Sequence, residues 1–175
     1  MPNDAKNHES LRVLGIDPGL RLTGYGLVDL RPGQLEPTLV EGGVFRLDAK
    51  QSMEQRLVQL RNDLRDLIEE HRPQRVAVEQ LYAHYAHPRT AILMGHARGV
   101  ILLCAAEKSL PIQDLPSTEV KKSLTGNGHA SKRQMQLAIQ SQCGLAELPE
   151  PADVADAIAI ALCHARRLAT EFLAR

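Results

Sequence analysis

Four acidic residues lie at the ends of apolar segments or on one helix face, where their carboxylates are able to bind a cation instead of only facing solvent. Asp17 ends the apolar run of LGIDPG, and Glu79 ends the run VAVE. Asp153 and Asp156 lie three residues apart in PADVADAIAIA, which places both on one face of a helix. Each has an ordinary alternative, because Asp is a common turn residue and acids are favoured near helix N-termini. Gathered together, the four charges would repel one another unless cations compensated, so the set predicts a cation site.

The ligand types in this set favour a hard divalent ion. Carboxylate oxygens with no His or Cys among them favour Mg²⁺ or Mn²⁺ over zinc. The three cysteines, Cys104, Cys143 and Cys163, are widely spaced and odd in number, which fits neither a zinc site nor a disulfide framework. We interpret them as structural residues of a protein in the reducing cytoplasm.

The elements that must position the acids follow from hydrophobic periodicity and capping residues. Three strands open the chain, which favours an antiparallel start, and a helix with the capping box Ser52 and Gln55 follows until Pro73 stops it. A second capping box, Ser131 with Gln134, begins a helix that ends near Gly144. The predicted strands cover residues 11–17, 23–30, 38–47, 75–80 and 110–115, and the other predicted helices cover 89–108 and 151 to almost 175.

This order predicts a mixed α/β sheet with helices on both faces. Such folds bind ligands at the carboxyl ends of parallel strands. Asp17 and Glu79 both stand at strand carboxyl ends, so they face each other if their strands are neighbours. The last helix adds Asp153 and Asp156, so that all four carboxylates are able to converge on one site.

Length and composition predict a single domain over residues 11–175, preceded by a polar, flexible extension over residues 1–10. No apolar run approaches the 18 residues typical of a membrane span, and no secretion signal opens the chain. The 21 basic and 21 acidic residues balance, which argues mildly against a simple polyanion binder.

The helix over residues 89–108 is apolar almost all round, which indicates that two of its faces are covered. Gly95 and Gly99 would allow a close approach there. One cover is the sheet, and the other is either a second subunit or the core of the same domain.

Basic and aromatic residues cluster near the acids in sequence. Lys121, Lys122, Lys132 and Arg133 have only Glu119 as an acidic neighbour, which predicts local basicity suited to nucleic acid, although a solvated helix face is the alternative. Aromatic residues are scarce, yet Tyr82 and Tyr85 both fall within six residues of Glu79. This placement suits base stacking, unless the rings pack under the following helix.

Five motifs in register make the chain resemble the RuvC Holliday-junction endonucleases, which have the ribonuclease H fold. They are LGIDPGLRLTGYG, VAVEQLYA, GHARGV, EVKKSLTGNGHASK and DVADAIAIALCHA, and they extend from about residue 11 to 168. The resemblance implies a five-stranded ribonuclease H-like domain. It also implies a structure-selective endonuclease that resolves four-way DNA junctions by paired, symmetric cuts in recombination and DNA repair.

The resemblance assigns roles residue by residue. Asp17, Glu79, Asp153 and Asp156 occupy the positions of the family's metal-binding acids. Lys121 and Lys132 occupy those of a basic pair near the scissile phosphate. Tyr82 stands where the family aromatic stacks on bases at the junction centre, although Phe is the residue expected there, and Tyr85 is able to share that role.

The implied chemistry is phosphodiester hydrolysis with two Mg²⁺ ions per subunit about 4 Å apart, Mn²⁺ being able to substitute. The implied assembly is a homodimer that acts on a four-way DNA junction, with a branch-migration complex of RuvA and RuvB as partner. Neither a membrane nor a nucleotide cofactor is expected.

Three alternatives remain from the sequence. The turn DPGLRLTG is similar to the phosphate-binding turn of the sugar-kinase, actin and heat-shock chaperone ATPases, but those proteins need two such domains. A junction-binding protein without catalysis should lack at least one of the four acids, and all four are present. A general ribonuclease H would share the chemistry but leaves the tyrosine segment and the GHARGV helix unexplained.

Overall fold

The computed structural model describes residues 10–81 and 88–174 of the chain. Within these residues the chain forms three strands, then a helix, a strand, a helix and a strand, and finally three helices. The strands are β1 (Leu11–Asp17), β2 (Leu22–Leu30), β3 (Thr38–Arg46), β4 (Arg75–Glu79) and β5 (Ile112–Leu115). The helices are α1 (Met53–His71), α2 (Pro88–Glu107), α3 (Ser117–Thr125), α4 (Lys132–Cys143) and α5 (Ala152–Leu173).

The strands form one mixed sheet in the order β3-β2-β1-β4-β5. The pairs β1–β2 and β2–β3 are antiparallel, whereas β1–β4 and β4–β5 are parallel. Parallel neighbours require crossover connections, which α1 and α2 supply. The predicted mixed sheet and its antiparallel start are confirmed, and β1 and β4 are neighbours.

Helices cover both faces of the sheet, as predicted. Successive residues of a strand point to opposite faces, so Val13 enters the core beneath α3, α4 and α5, whereas Leu14 enters the core beneath α1 and α2. Cys104 and Cys163 are buried in these cores and Cys143 is half-buried, which agrees with a structural role for the three cysteines.

Two strand glycines let α5 lie directly on the sheet. A side chain at Gly15 would overlap the backbone of Ala157 and Ala161, and one at Gly24 would overlap the carbonyl of Asp153. Because Gly24 is the register partner of Asp17, this close approach brings the first turn of α5 beside the end of β1.

Capping residues set the bounds of the helices as the sequence predicted. Ser52 and Ser131 each form a complete capping box, at the start of α1 and α4 respectively. Helix α1 ends at His71 because Arg72 adopts a left-handed conformation with φ of 48°, directly before Pro73.

Two elements differ from the sequence prediction. Strand β5 begins at Ile112, two residues later than predicted, because the Leu110 amide donates a hydrogen bond to the Ala105 carbonyl at 2.9 Å and so belongs to the turn after α2. Helix α3 was not predicted as an element of its own. The extension over residues 1–9 and the residues Tyr82 and Tyr85 lie outside the described part of the chain.

Candidate active site

Two of the predicted acids are brought together by the register of the central parallel strands. Ile16 of β1 pairs with Val78 of β4, so Asp17 and Glu79 follow at the same edge of the sheet. The Gln80 amide then donates a hydrogen bond to the Leu115 carbonyl at 2.9 Å, which holds the chain straight through Glu79. The two carboxylates therefore share the carboxyl edge of β1 and β4, as the sequence predicted.

The first turns of α5 supply the other two acids. Asp153 and Asp156 lie on one face of the helix, and both are half-buried. All four carboxylates line one cavity of about 300 Å³. The complete lining consists of Asp17, Pro18, Glu79, Met94, Ser117, Val120, Lys121, Lys132, Met135, Asp153, Asp156 and Ile160.

Two of the predicted basic residues enter the same cavity. Lys121 comes from α3, whose buried residues Val120 and Leu124 fix which side of the helix faces inward. Lys132 is the first residue of α4, and the capping box of Ser131 sets where that helix begins. The structure thus brings two cations to the four acids.

The other predicted basic residues lie outside the cavity. Lys122 is exposed and contributes to shallow grooves beside Glu119, and Arg133 is exposed on α4. Adjacent residues on a helix point about 100° apart, so Lys122 and Arg133 point away from the cavity that Lys121 and Lys132 line. Lys121 reaches the cavity from a half-buried position and Lys132 from an exposed one.

Burial and charge crowding raise the pKa of Asp17 well above its usual value. Burial is the largest cause, followed by the charges of Glu79, Asp156 and Asp153, whereas Lys132 opposes the shift. The negative charge at Asp17 is therefore costly unless more positive charge enters the cavity.

The same two causes act on two of its neighbours. The pKa of Glu79 is raised by burial and then by Asp156, with Lys121 and Lys132 opposing. The pKa of Asp156 is raised mainly by burial, with Lys132 opposing more strongly than Asp153 adds. Two lysines thus offset only part of the repulsion among the carboxylates, which is the electrostatic condition of a cation site.

The donor set also fits divalent ions by chemistry, since the four acids offer hard oxygen ligands and no His or Cys lines the cavity. Over residues 10–81 and 88–174, no three His, Cys, Asp or Glu side chains are gathered tightly enough to enclose an ion by themselves. An ion would be held by carboxylates that reach in from the cavity walls, which leaves room for water and substrate oxygens as further ligands.

Sequence reasoning missed several residues of the cavity. Met94 of α2 and Ser117 of α3 both line it. Met94 belongs to an apolar helix in which no position stands out, and Ser117 begins the helix that was not predicted. The apolar wall of the cavity consists of Val120, Met135 and Ile160. Each follows the apolar spacing of a core-facing helix, so its sequence position does not mark it as a site residue.

A mixed sheet of this order, with carboxylates at the carboxyl edge of its central parallel strands and on the helix packed across it, defines a ribonuclease H-like nuclease domain. The sequence pattern of the family described as crossover junction endodeoxyribonuclease RuvC matches residues 13–164. The chain belongs to this family, whose members are metal-dependent nucleases.

Individual relatives agree with this assignment. The chain is 48% identical over 151 residues to a crossover junction endodeoxyribonuclease RuvC of Rhodopirellula baltica, covering 86% of this chain and 84% of the relative. The structure of T. thermophilus RuvC in complex with Holliday junction substrate superposes with a TM-score of 0.84 at 33% identity, covering 93% of this chain and 97% of that one.

A more distant structure shares the fold. The yeast mitochondrial Holliday junction resolvase superposes with a TM-score of 0.66 at 16% identity, covering 98% of this chain and 84% of that one. The family match decides against the ATPase alternative that the DPGLRLTG turn raised.

Proposed function

We propose that this chain cuts four-way DNA junctions by metal-assisted phosphodiester hydrolysis, with paired, symmetric nicks that resolve the junction into duplexes during recombination and DNA repair. The observation that carries the proposal is the cavity in which four carboxylates and two lysines meet, in a chain of the RuvC family. A relative of 33% identity was solved in complex with Holliday junction substrate, which supports the substrate class.

The charged residues of the cavity have two roles: the acids bind metal ions, and the lysines bind the phosphate. Asp17, Glu79, Asp153 and Asp156 are the residues that would hold two divalent ions, and their carboxylates bind best when deprotonated. Bound Mg²⁺ supplies an activated water and stabilises the leaving oxygen, and Mn²⁺ has similar ligand preferences. Lys121 and Lys132 add fixed positive charge where the phosphate gains negative charge in the transition state.

A labelled four-way junction tests this proposal. Incubation with Mg²⁺ should give two symmetric nicks in strands of like polarity, and Mn²⁺ should substitute for Mg²⁺. A linear duplex of the same sequence should remain uncut, and excess chelator should stop all cleavage. Equal cutting of duplex and junction would indicate a general nuclease, and persistence of cleavage in chelator would remove the metal-assisted mechanism.

The exposed face of α2 supports the homodimer that symmetric cutting requires. Helix α2 packs one face on α1 and the sheet through residues such as Ile101 and Cys104. On the opposite face Ile92 is 61% exposed and Leu103 is 52% exposed. Added Cβ atoms at Gly95 and Gly99 would meet nothing within 4 Å. Within the described residues α2 is also the one helix apolar and long enough to span a bilayer, a composition that a second protein surface explains.

We infer that this face pairs with the same face of a second copy, because a four-way junction is nearly two-fold symmetric and an isologous dimer presents two sites to two strands. The stripe of Ile92, Gly95, Gly99 and Leu103 recurs every three or four residues, which is the spacing of one helix face. The two glycines would permit close approach of the partner helix.

Leu103→Glu should convert the dimer to a monomer, because it places a charge in an apolar interface. Sedimentation at micromolar concentration should give about twice the chain mass of 19.3 kDa for the parent and the chain mass for the variant. Val58→Glu is the matched control, since Val58 is 57% exposed on α1. A parent that sediments as a monomer while still making paired cuts would show that DNA assembles the active pair.

Tyr82→Ala should lower junction cleavage by about 5- to 150-fold, because stacking on a base is worth about 1–3 kcal/mol. Tyr82→Phe should remain active, because stacking needs only the ring. Cleavage rate, thermal melting and 2-aminopurine fluorescence at the crossover together separate stacking from folding. If the alanine variant melts much lower while its folded fraction cleaves normally, Tyr82 is a core residue.

Membership of the RuvC family suggests the remaining partners. RuvA and RuvB would supply branch migration, and the chain would act in the bacterial cytoplasm, where its junction substrate is located. Tyr85, Lys122 and Arg133 would add contacts to DNA outside the catalytic cavity. Cleavage of a mobile junction with and without RuvA and RuvB measures how far the partners are needed.

A further inference from the structure

Helix α2 reaches the catalytic cavity at its N-terminal half and is fastened to α1 at its C-terminal end. Met94 lines the same cavity as Glu79. At the other end, Glu107 pairs with Arg61 of α1 at 3.5 Å, and Lys108, just past the helix, pairs with Glu69 of α1 at 2.9 Å. These ion pairs hold the far end of α2, whereas Leu93 and Ala97 pack the part nearer the cavity into the apolar core.

Arg98, at the middle of α2, supplies a polar contact between this helix and the sheet. Its guanidinium Nη2 donates a hydrogen bond to Asp114 Oδ1 of β5, one helical turn beyond Met94. The Arg98 side chain is 21% exposed, and its Nε is buried with no hydrogen-bond partner among the described residues. In the sheet, Asp114 is the register partner of Val78, the residue that precedes Glu79. The pair therefore joins α2 to the strand beside the one that carries Glu79.

We propose that Arg98 and Asp114 are positioning residues that hold the middle of α2 against the strand ends of the catalytic site. The inference rests on the proposed junction cleavage. The exposed face with Ile92 and Leu103 lies on the same helix, so the pair links the proposed dimer surface to the cavity.

The physical basis is the enclosure of the guanidinium. A charge-assisted hydrogen bond is strong and directional, and its strength rises as water is excluded. Loss of Asp114 leaves the Arg98 guanidinium with no neutralising contact in a partly enclosed place, whereas the Asp114 side chain is 49% exposed and stays solvated when Arg98 is lost. Either loss removes the bond that ties α2 to β5, so α2 is expected to shift. A displacement of about 1 Å near a reaction centre is able to lower a rate by as much as a hundredfold.

Arg98→Gln should therefore lower the single-turnover cleavage rate at saturating junction by about 10- to 100-fold, while the dissociation constant for the junction in Ca²⁺ changes by less than about threefold. The charge swap Arg98→Asp with Asp114→Arg should recover much of the rate. Glu107→Gln is the matched control, because it breaks an ion pair of the same helix far from the cavity and should leave the rate unchanged.

The outcomes separate this inference from the proposed function. If the parent does not cleave junctions, the proposed function fails. If the parent cleaves and Arg98→Gln cleaves within about twofold of it, or loses only affinity, the positioning role fails. Should Arg98→Gln not fold, Arg98→Lys carries the test: it keeps the charge and loses the planar fork, and an unchanged rate in that variant, with no loss in Asp114→Asn, would equally overturn the role.

Discussion

Asp17→Asn should abolish junction cleavage, with a rate at least about 10³-fold below that of the parent, while junction binding is retained. The reason is the position of Asp17 between Glu79 and the first turn of α5, where it would contact bound ions from the centre of the four acids. Metal stabilisation of the transition state is worth several kcal/mol, and each 1.4 kcal/mol is about tenfold in rate. Glu79→Gln is expected to behave in the same way.

The measurement is single-turnover cleavage of a labelled junction together with binding in Ca²⁺. Asp29→Asn provides a matched control, because Asp29 is an acid of the neighbouring strand β2 that pairs with Arg12 away from the cavity. Binding by Asp17→Asn should be equal to or tighter than that of the parent, since a negative charge near phosphate is removed. Cleavage within tenfold of the parent would remove Asp17 from the metal site.

The raised pKa of Asp17 also predicts how the Asp17→Asn substitution changes the stability of the folded protein. The pKa of Asp17 is raised in the folded protein, so the native state binds more protons than the unfolded state above the usual carboxyl pKa, and stability falls as pH rises through that window. Without metal at neutral pH, Asp17→Asn should melt higher than the parent by a few degrees, because about 1 kcal/mol is worth 2–4 °C at this chain length.

The difference in melting temperature should shrink as pH falls toward the usual carboxyl pKa and disappear below it, where Asp17 is neutral in both states. Added Mg²⁺ should raise the melting temperature of the parent more than that of the variant, because the ion binds only the folded acids. Thermal melts at several pH values, in chelator and in Mg²⁺, measure both effects. A variant that melts lower than the parent under all these conditions would contradict the burial of an uncompensated charge at Asp17.

The position of the acids was predictable from sequence because it follows from strand order. Asp17 and Glu79 each end a short apolar strand, and the carboxyl ends of adjacent parallel strands meet at one edge of a sheet. The spacing of Asp153 and Asp156 fixes their common helix face in the same local way. Capping boxes at Ser52 and Ser131 likewise depend only on residues three apart in sequence.

Features that depend on contacts between distant residues were not predictable. The glycine at position 24 reads as an ordinary strand residue, and only the packing of α5 shows that a side chain there would strike Asp153. The inward turn of Lys121 and Lys132, and the outward turn of Lys122 and Arg133, follow from which neighbouring residues the core buries. A basic stretch of sequence shows that positive charge is present, but it does not show on which face of the helix each basic side chain lies.

The apolar composition of α2 illustrates the same limit. From sequence, a helix that is apolar all round is either a core helix or an interface helix. The fold buries one face on α1 and leaves Ile92 and Leu103 exposed, which favours the interface. The ion pair of Arg98 with Asp114 was also invisible in sequence, because its two residues are 16 positions apart on different elements.

Lys132→Ala should lower the cleavage rate at saturating junction by about 10²- to 10³-fold, the usual cost of removing one preorganised charge beside a transition state. Lys132 lines the cavity, and its charge opposes the raised pKa of Asp17, Glu79 and Asp156. Its loss therefore removes a countercharge from both the phosphate and the acids. Junction affinity at low salt should change far less than the rate, because one phosphate contact among many is lost.

Arg133→Ala is the matched control, because Arg133 carries the same charge on the next residue of α4 and lies outside the cavity. It should leave the saturated rate within about twofold and weaken binding as salt is raised, lowering the salt slope by about 1 if Arg133 contacts a phosphate. Equal rate losses in the two variants would show that total charge, and not the inward placement of Lys132, supports cleavage. The contrast between adjacent residues isolates geometry from charge, since helix propensity, net charge and distance along the chain are nearly the same for both.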